Sequence, residues 1–193
     1  MNNTIADNGT TNSGVFLATR DDASSIMTTV RRAMAEYARN SGIPNGADGL
    51  PLLDAMHDTK AKVLASIEKG QVLVARRNWQ IVGTTHLDIQ EDGDICFLRR
   101  FAVLPEYMGT GIGKLLFTSA VNHLKARNCR EIRLFTAYSN HPVISFYERM
   151  GFHIIEVDNF GTYPRALLGY AIDGDNKSVQ ALIFQPTSFS VAK

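Results

Sequence analysis

The sequence predicts an α/β (α+β) fold, a mixed and largely antiparallel central sheet with helices on both faces. Three observations carry that expectation. Two early segments place apolar residues at a helical period, the stretch 71–104 changes to strand-like runs, and a helical period returns directly after the glycines Gly109, Gly111 and Gly113. The resulting order, β, α, α, β, β, β, α, β, α, β, β, fits one domain, and 193 residues that are 45% hydrophobic can bury a core of that size without staples.

Each element has its own signal. Residues 1–14 are rich in Asn, Thr and Gly and read as a flexible tail, so the domain is expected to occupy 15–173. A short strand at 15–18 precedes the Asp21/Asp22 pair, which suits the cap of a helix whose stripe is Ile26, Val30, Met34 and Tyr37. The stretch 40–51, rich in glycine and proline, breaks that helix. A second helix carries Met56, Val63, Leu64 and Ile67 and stops at Gly70. Strands follow at 72–75, 81–89 and 95–104, with a tight turn near Asn78. The helix after the glycines shows Ile112, Leu115, Leu116, Ala120 and Leu124 on one face. A strand at 132–137, a short helix opened by Pro142 and ended at Gly151, and strands at 152–157 and 167–172 complete the domain. Residues 174–193 read as a C-terminal extension with one further strand at 181–184.

Composition excludes several function classes. Twenty basic side chains against nineteen acidic ones leave a formal charge of +1, without the footprint that nucleic acid requires. No uncharged apolar run approaches the roughly 18 residues that cross a bilayer, so no membrane role is expected. Cys96 and Cys129 form neither a CxxC pair nor a secreted framework, which points to reduced thiols and a cytoplasmic setting. The histidines lack metal-ligand spacing, and no metal is expected.

The densest chemical signal is Val103-Leu-Pro-Glu-Tyr-Met-Gly-Thr-Gly-Ile-Gly-Lys114, a strand end and proline turn running through alternating glycines into a helix. Bare N–H groups at a helix N-terminus form an anion site, aided by the helix dipole. A Walker loop is excluded because Met108 and Leu115 stand where it needs Gly and Ser or Thr. The spacing GxGxG is not the dinucleotide GxGxxG either. A turn that merely packs a helix against a strand is the alternative reading.

The stretch from Phe101 to Leu116 resembles the cofactor motif of the GNAT superfamily of N-acetyltransferases, with Met108 where Arg or Gln is usual. Farther on, Asn140-His-Pro-Val-Ile-Ser-Phe-Tyr-Glu-Arg-Met-Gly-Phe152 resembles the family's second motif. The resemblance implies the acyl-CoA N-acyltransferase (GNAT) fold, acetyl-CoA as cofactor and transfer of acetyl to a primary amine, expected to be that of a small molecule. It implies contacts to the cofactor from Phe101, Ala102, Val103, Met108, Gly109, Thr110, Gly111, Ile112, Gly113, Lys114 and Asn140, and a proton donated to the departing thiolate by Tyr147. It also implies that the strand ending at Val103 splays from the one starting near Ile132 to admit the pantetheine arm.

Residue by residue, blander roles compete. Asn140 is equally suited to cap the helix that follows it, and on spacing alone Tyr147 is a core tyrosine beside Phe146 and Met150. Arg99 and Arg100, expected on opposite faces of their strand, stand where many relatives carry an acid. The base is therefore left open among Glu91, Asp94, Asp88 and His86, with a chain of water molecules as the alternative. Residues 40–51 and 159–165 are expected to shape the acceptor pocket. The other functions kept open are a non-catalytic acyl-CoA sensor, acetylation of a protein amine, and a second copy of the chain as the one macromolecular partner.

Overall fold

The computed structural model describes residues 13–159 and 161–172. The expected element order is realised there, while residues 1–12 and the extension at 174–193, with its strand at 181–184, lie outside the described residues. Seven strands form one sheet: β1 (Gly14–Leu17), β2 (Val72–Arg77), β3 (Gln80–Ile89), β4 (Ile95–Val103), β5 (Glu131–Ala137), β6 (His153–Asp158) and β7 (Arg165–Ala171). Their spatial order is β1-β2-β3-β4-β5-β7-β6, antiparallel except where β4 meets β5. Four helices cover it: α1 (Ala23–Ser41), α2 (Lys60–Glu68), α3 (Ile112–Lys125) and α4 (His141–Arg149).

Strand alternation divides the core into two layers. Val72 and Val74 of β2 pack with Ile26, Val30, Val63 and Ile67 from α1 and α2. Leu73 and Ala75 turn to the other face, where Leu116, Phe117, Ala120 and Leu124 of α3 close over Val82, Leu87 and Leu98. Gly83 permits that approach, because an added Cβ would stand 2.9 Å from Leu116 Cδ1 and 3.0 Å from Ala102 O. Leu115, expected on the buried face, is 45% exposed, and Phe117 takes the core position instead.

Helix ends follow their caps. Thr19 donates its backbone N–H to Asp22 Oδ2 at 2.8 Å, and Arg76 reaches Asp22 Oδ1 at 2.6 Å, which sets α1 against β2. Met56 is not part of α2; it lies in a 3-10 turn, Asp54–His57, that precedes it. Thr59 caps α2 by accepting the Lys62 N–H. Asn78 and Trp79 both take positive φ, 49° and 71°, as a two-residue turn between antiparallel strands demands. Among the described residues no helix is long and apolar enough to cross a membrane.

One irregularity shapes everything near the site. Thr84 pairs with Ala102, but His86 pairs with Arg99, so β4 carries an extra residue at a bulge where Arg100 holds φ at 50°. The bulge breaks the alternation that placed Arg99 and Arg100 on opposite faces. Both turn to the side of α1 and α2, Arg99 onto Asp88 at 2.6 Å and Arg100 onto Asp58 at 2.7 and 2.9 Å.

Candidate active site

The parallel strands β4 and β5 pair only from Ile95–Phe97 to Glu131–Arg133. Beyond that they part. Leu104 donates its N–H to Val82 O at 2.9 Å, and antiparallel ladders alternate, so Ala102 also faces β3 while the N–H and C=O groups of Phe101 and Val103 face the opened side. Phe101 and Val103 therefore offer backbone to a ligand in the gap. Ala102 does not, since its backbone is spent on β3 and its side chain on the α1 layer.

The gap belongs to a cavity of about 620 Å³ that runs from Met108, Gly109 and Gly113 at the head of α3 to residues 52–55 and 161–163 at the far end. Gly109 and Gly111 hold φ at 75° and 88°, the left-handed region, with nothing within 4 Å of an added Cβ. Gly113 is different: a Cβ there would meet Phe146 Cζ at 3.0 Å, so this glycine leaves room for the wall of the cleft. The N–H groups of Gly109, Gly111, Ile112, Gly113 and Lys114 have no hydrogen-bond acceptor among the described residues. Free N–H groups at a helix N-terminus are suited to an anion.

Two amides in the expected cofactor motif turn inward instead. Met108 gives its N–H to Pro105 O at 3.1 Å and Thr110 gives its own to Tyr107 O at 3.4 Å, with the Thr110 hydroxyl also on Tyr107 O. These bonds close the turn that presents the glycines. Met108 is left with a side chain 52% exposed at the cleft mouth.

Asn140 is likewise committed to the protein. Its Oδ1 accepts the Val143 N–H at 3.3 Å, capping α4, and its Nδ2 donates to Ser41 Oγ at 2.8 Å, tying that cap to the end of α1. Asn140 is buried and does not line the cavity. Of its two expected roles the geometry carries the cap.

Tyr147 lies on the cavity wall, where α4 faces the opened strand. Its ring packs against Phe101, Phe146 and Phe152 at centroid distances of 6.0, 5.2 and 5.3 Å, while its hydroxyl makes no hydrogen bond to a described residue. Burial, and secondarily the Tyr37 phenol, push its pKa well above the ordinary tyrosine value. Burial thus favours the protonated phenol, the form that can donate a proton.

The far end of the cavity is built from residues that periodicity did not single out for function. Tyr37, expected only as part of the α1 stripe, accepts the Ala137 N–H at 2.6 Å and shares a 3.1 Å hydrogen bond with Thr136, so it closes the β5 edge of the gap. Leu53 and Tyr163 pack with it and with Ala137. The segment 161–163 lines the cavity as expected, but from the other connection the wall is residues 52–55, just past the expected stretch 40–51. Neither Glu91, Asp94, Asp88 nor His86 lines the cavity, so none of the four expected bases is placed to act there.

His86 has another consequence. It is buried beside Asp58 and Arg100, its Nε2 has no hydrogen-bond partner among the described residues, and desolvation first and the Arg100 charge second lower its pKa to about 4. The native state therefore binds no proton on His86 where the unfolded chain, with a pKa near 6.5, does. Stability is full above that value and falls as pH drops from about 6.5 to about 4, by about 3 kcal/mol in all. Denaturant titrations of the wild type and His86→Gln across that window are expected to show the slope in the first and a flatter profile in the second.

Residues 49–152 match the sequence model of the Acetyltransferase (GNAT) family. A mycothiol acetyltransferase of Streptomyces griseus is 33% identical over 85 residues, 44% of this chain and 28% of that protein. N-alpha-acetyltransferase 30 of Schizosaccharomyces pombe is 38% identical over 56 residues, 29% of this chain and 37% of that protein. The chain thus matches less than two fifths of the length of these relatives. Among solved structures, the PaiA N-acetyltransferase from Thermoplasma acidophilum in complex with coenzyme A superposes with a TM-score of 0.71 at 20% identity, covering 84% of this chain and 99% of that one. The ribosomal-protein-S18-alanine N-acetyltransferase from Escherichia coli gives 0.64 at 16% identity, covering 84% and 96%. At those identities the likeness is one of fold.

Proposed function

Because the chain belongs to the GNAT family of acetyltransferases, we propose that it binds acetyl-CoA along the cavity and transfers the acetyl group to the primary amine of a small molecule. One observation carries this reading: five N–H groups at the head of α3 have no acceptor among the described residues, and two of those residues, Gly109 and Gly113, line the cleft where β4 leaves β5. A diphosphate suits the cradle, and a slender amide-bearing arm suits the cleft, whose β4 edge offers the Phe101 and Val103 backbone. The residues present fit the group.

When bound, acetyl-CoA supplies an activated acetyl group on a thiolate leaving group. The chain's own residues do the rest. Gly109, Gly111 and Gly113 let the amides from Gly111 to Lys114 approach the diphosphate. The Phe101 N–H, aimed into the gap, donates to the carbonyl oxygen as negative charge grows on it, an effect worth about 3 kcal/mol in comparable sites. Phe101, Phe146 and Tyr147 form an aromatic wall that keeps water from that oxygen. The phenol of Tyr147 protonates the departing sulfur. The two buried free thiols, Cys96 and Cys129, accord with a reducing, cytoplasmic setting.

Tyr147→Phe is the test, since the phenyl ring keeps the contacts with Phe101 and Phe152. Its kcat is expected to fall about 100-fold while the Kd for coenzyme A, measured by calorimetry, stays within about two-fold of wild type. Full turnover in the variant at saturating substrates rules out the assignment. Acetylation of a protein amine is the second reading, favoured by the likeness to an N-alpha-acetyltransferase. A panel of small amines set against peptides with free N-termini separates the two.

A further inference from the structure

We propose that Asp54 receives the proton of the acceptor's ammonium group, and that the acceptor is accordingly a cationic amine drawn to the end of the cavity between residues 52–55 and 161–163. This rests on the acetyltransferase reading above. A primary alkylamine reaches the enzyme protonated at neutral pH and cannot attack until a base removes a proton.

The described cavity wall narrows the choice. Its titratable groups are three arginines, four tyrosines and Asp54. A guanidinium has no lone pair to offer, and phenols hold their protons at neutral pH, Tyr147 and Tyr163 with pKa values raised by burial. No histidine lines the cavity among the described residues. Asp54 is left. The other nearby carboxylates are already engaged: Asp88 by Arg99, Asp158 by Arg165 and Asp58 by Arg100. Asp54 lines the cavity, is exposed and makes no hydrogen bond or ion pair with a described residue, although its charge is felt by Arg100 and Tyr163.

Its backbone is held from both sides. On one side Leu53 packs against the cluster of Ala38, Ile43 and Ala137, which places the start of the 3-10 turn beside the end of β5. On the other, Ala55 and Met56 are buried, and the turn runs into Asp58, clamped by both arms of the Arg100 guanidinium. Asp54 thus stands on a short braced turn rather than on a loose loop.

The step balances. One N–H bond of the ammonium breaks and its proton passes to an Asp54 carboxylate oxygen, and the freed electron pair forms the C–N bond as the C–S bond breaks. The sulfur takes the phenolic proton of Tyr147, the surplus proton on the new amide nitrogen restores that phenol, and Asp54 returns its proton to solvent.

The experiment compares wild type, Asp54→Asn and Asp54→Glu with a primary alkylamine from the panel and with hydroxylamine, which is largely unprotonated at neutral pH and needs no base to begin. Asp54→Asn is expected to lower kcat/KM for the alkylamine about 100-fold and for hydroxylamine by no more than about three-fold. Asp54→Glu is expected to recover part of the loss. Coenzyme A binding by calorimetry is expected to stay within about two-fold in both variants, reporting that fold and cradle are intact. Equal losses with both nucleophiles would mean that Asp54 only shapes the pocket, and no loss with either would mean that it does nothing there; both results overturn the proposal. A wild type that binds coenzyme A yet acetylates no amine or peptide refutes the acetyltransferase reading itself, and the role of Asp54 falls with it.

Discussion

Asp58→Ala is expected to destabilise the fold by about 3 to 5 kcal/mol, the range observed when one partner of a buried ion pair is removed. The side chains of Arg100 and Asp58 are only 18% and 12% exposed, and their bonds are bidentate. Without Asp58 the guanidinium loses the carboxylate that holds it, beside His86, whose Nε2 has no hydrogen-bond partner among the described residues. The pair also braces a strained backbone, since Arg100 holds φ at 50° in the β4 bulge and the next residue is Phe101, whose N–H faces the gap. Loss of the carboxylate should therefore lower kcat in the fraction that remains folded. Urea titrations measure the first effect and single-turnover acetylation the second. The double variant Asp58→Leu/Arg100→Met is expected to regain most of the stability, because two apolar side chains leave no buried charge. A single variant with wild-type stability would show that water reaches the guanidinium freely.

Gly111→Val is expected to weaken coenzyme A about 100-fold, or about 2.7 kcal/mol. The cause is conformational, not steric. An added Cβ at Gly111 touches nothing within 4 Å, but φ is 88°, a region that a β-branched residue enters only with strain. Relief requires the local peptide to rotate, and the N–H groups that open the cradle rotate with it. Binding of an acyl-pantetheine, which lacks the diphosphate, should change by less than about three-fold, and that contrast separates loss of the cradle from general damage. If both ligands weaken together the diphosphate assignment is wrong.

The two effects draw on different information in the chain. Gly111 was legible because a glycine cluster between a strand run and a helical period is a local pattern, and the N–H groups it bares are a local consequence. The role proposed for Tyr147 came only from the motif around it; helical spacing alone made it a core tyrosine, and its ring is core while its hydroxyl has no hydrogen-bond partner among the described residues. Arg100 was misjudged for a definite reason. Strand periodicity assigns faces by parity, and a single bulge residue shifts the parity of all that follows. Leu115 and Met56 were misplaced by two positions and by one broken turn, the scale at which helix faces and ends blur in any periodic reading.

Sequence by itself determined the order of elements, the helices on both faces of the sheet and the glycine turn that opens α3, because each depends on residues close together in the chain. Tertiary structure decided the far end of the cavity. Tyr37, Asp54, Ala137 and Tyr163 are separated by long stretches of sequence and meet only because β5 leaves β4 and the ends of α1 and β5 converge there. It also decided that Asn140 and the Met108 amide serve the protein, since a hydrogen-bonding group is claimed by whichever partner the packing brings within reach, and no local pattern records which that is.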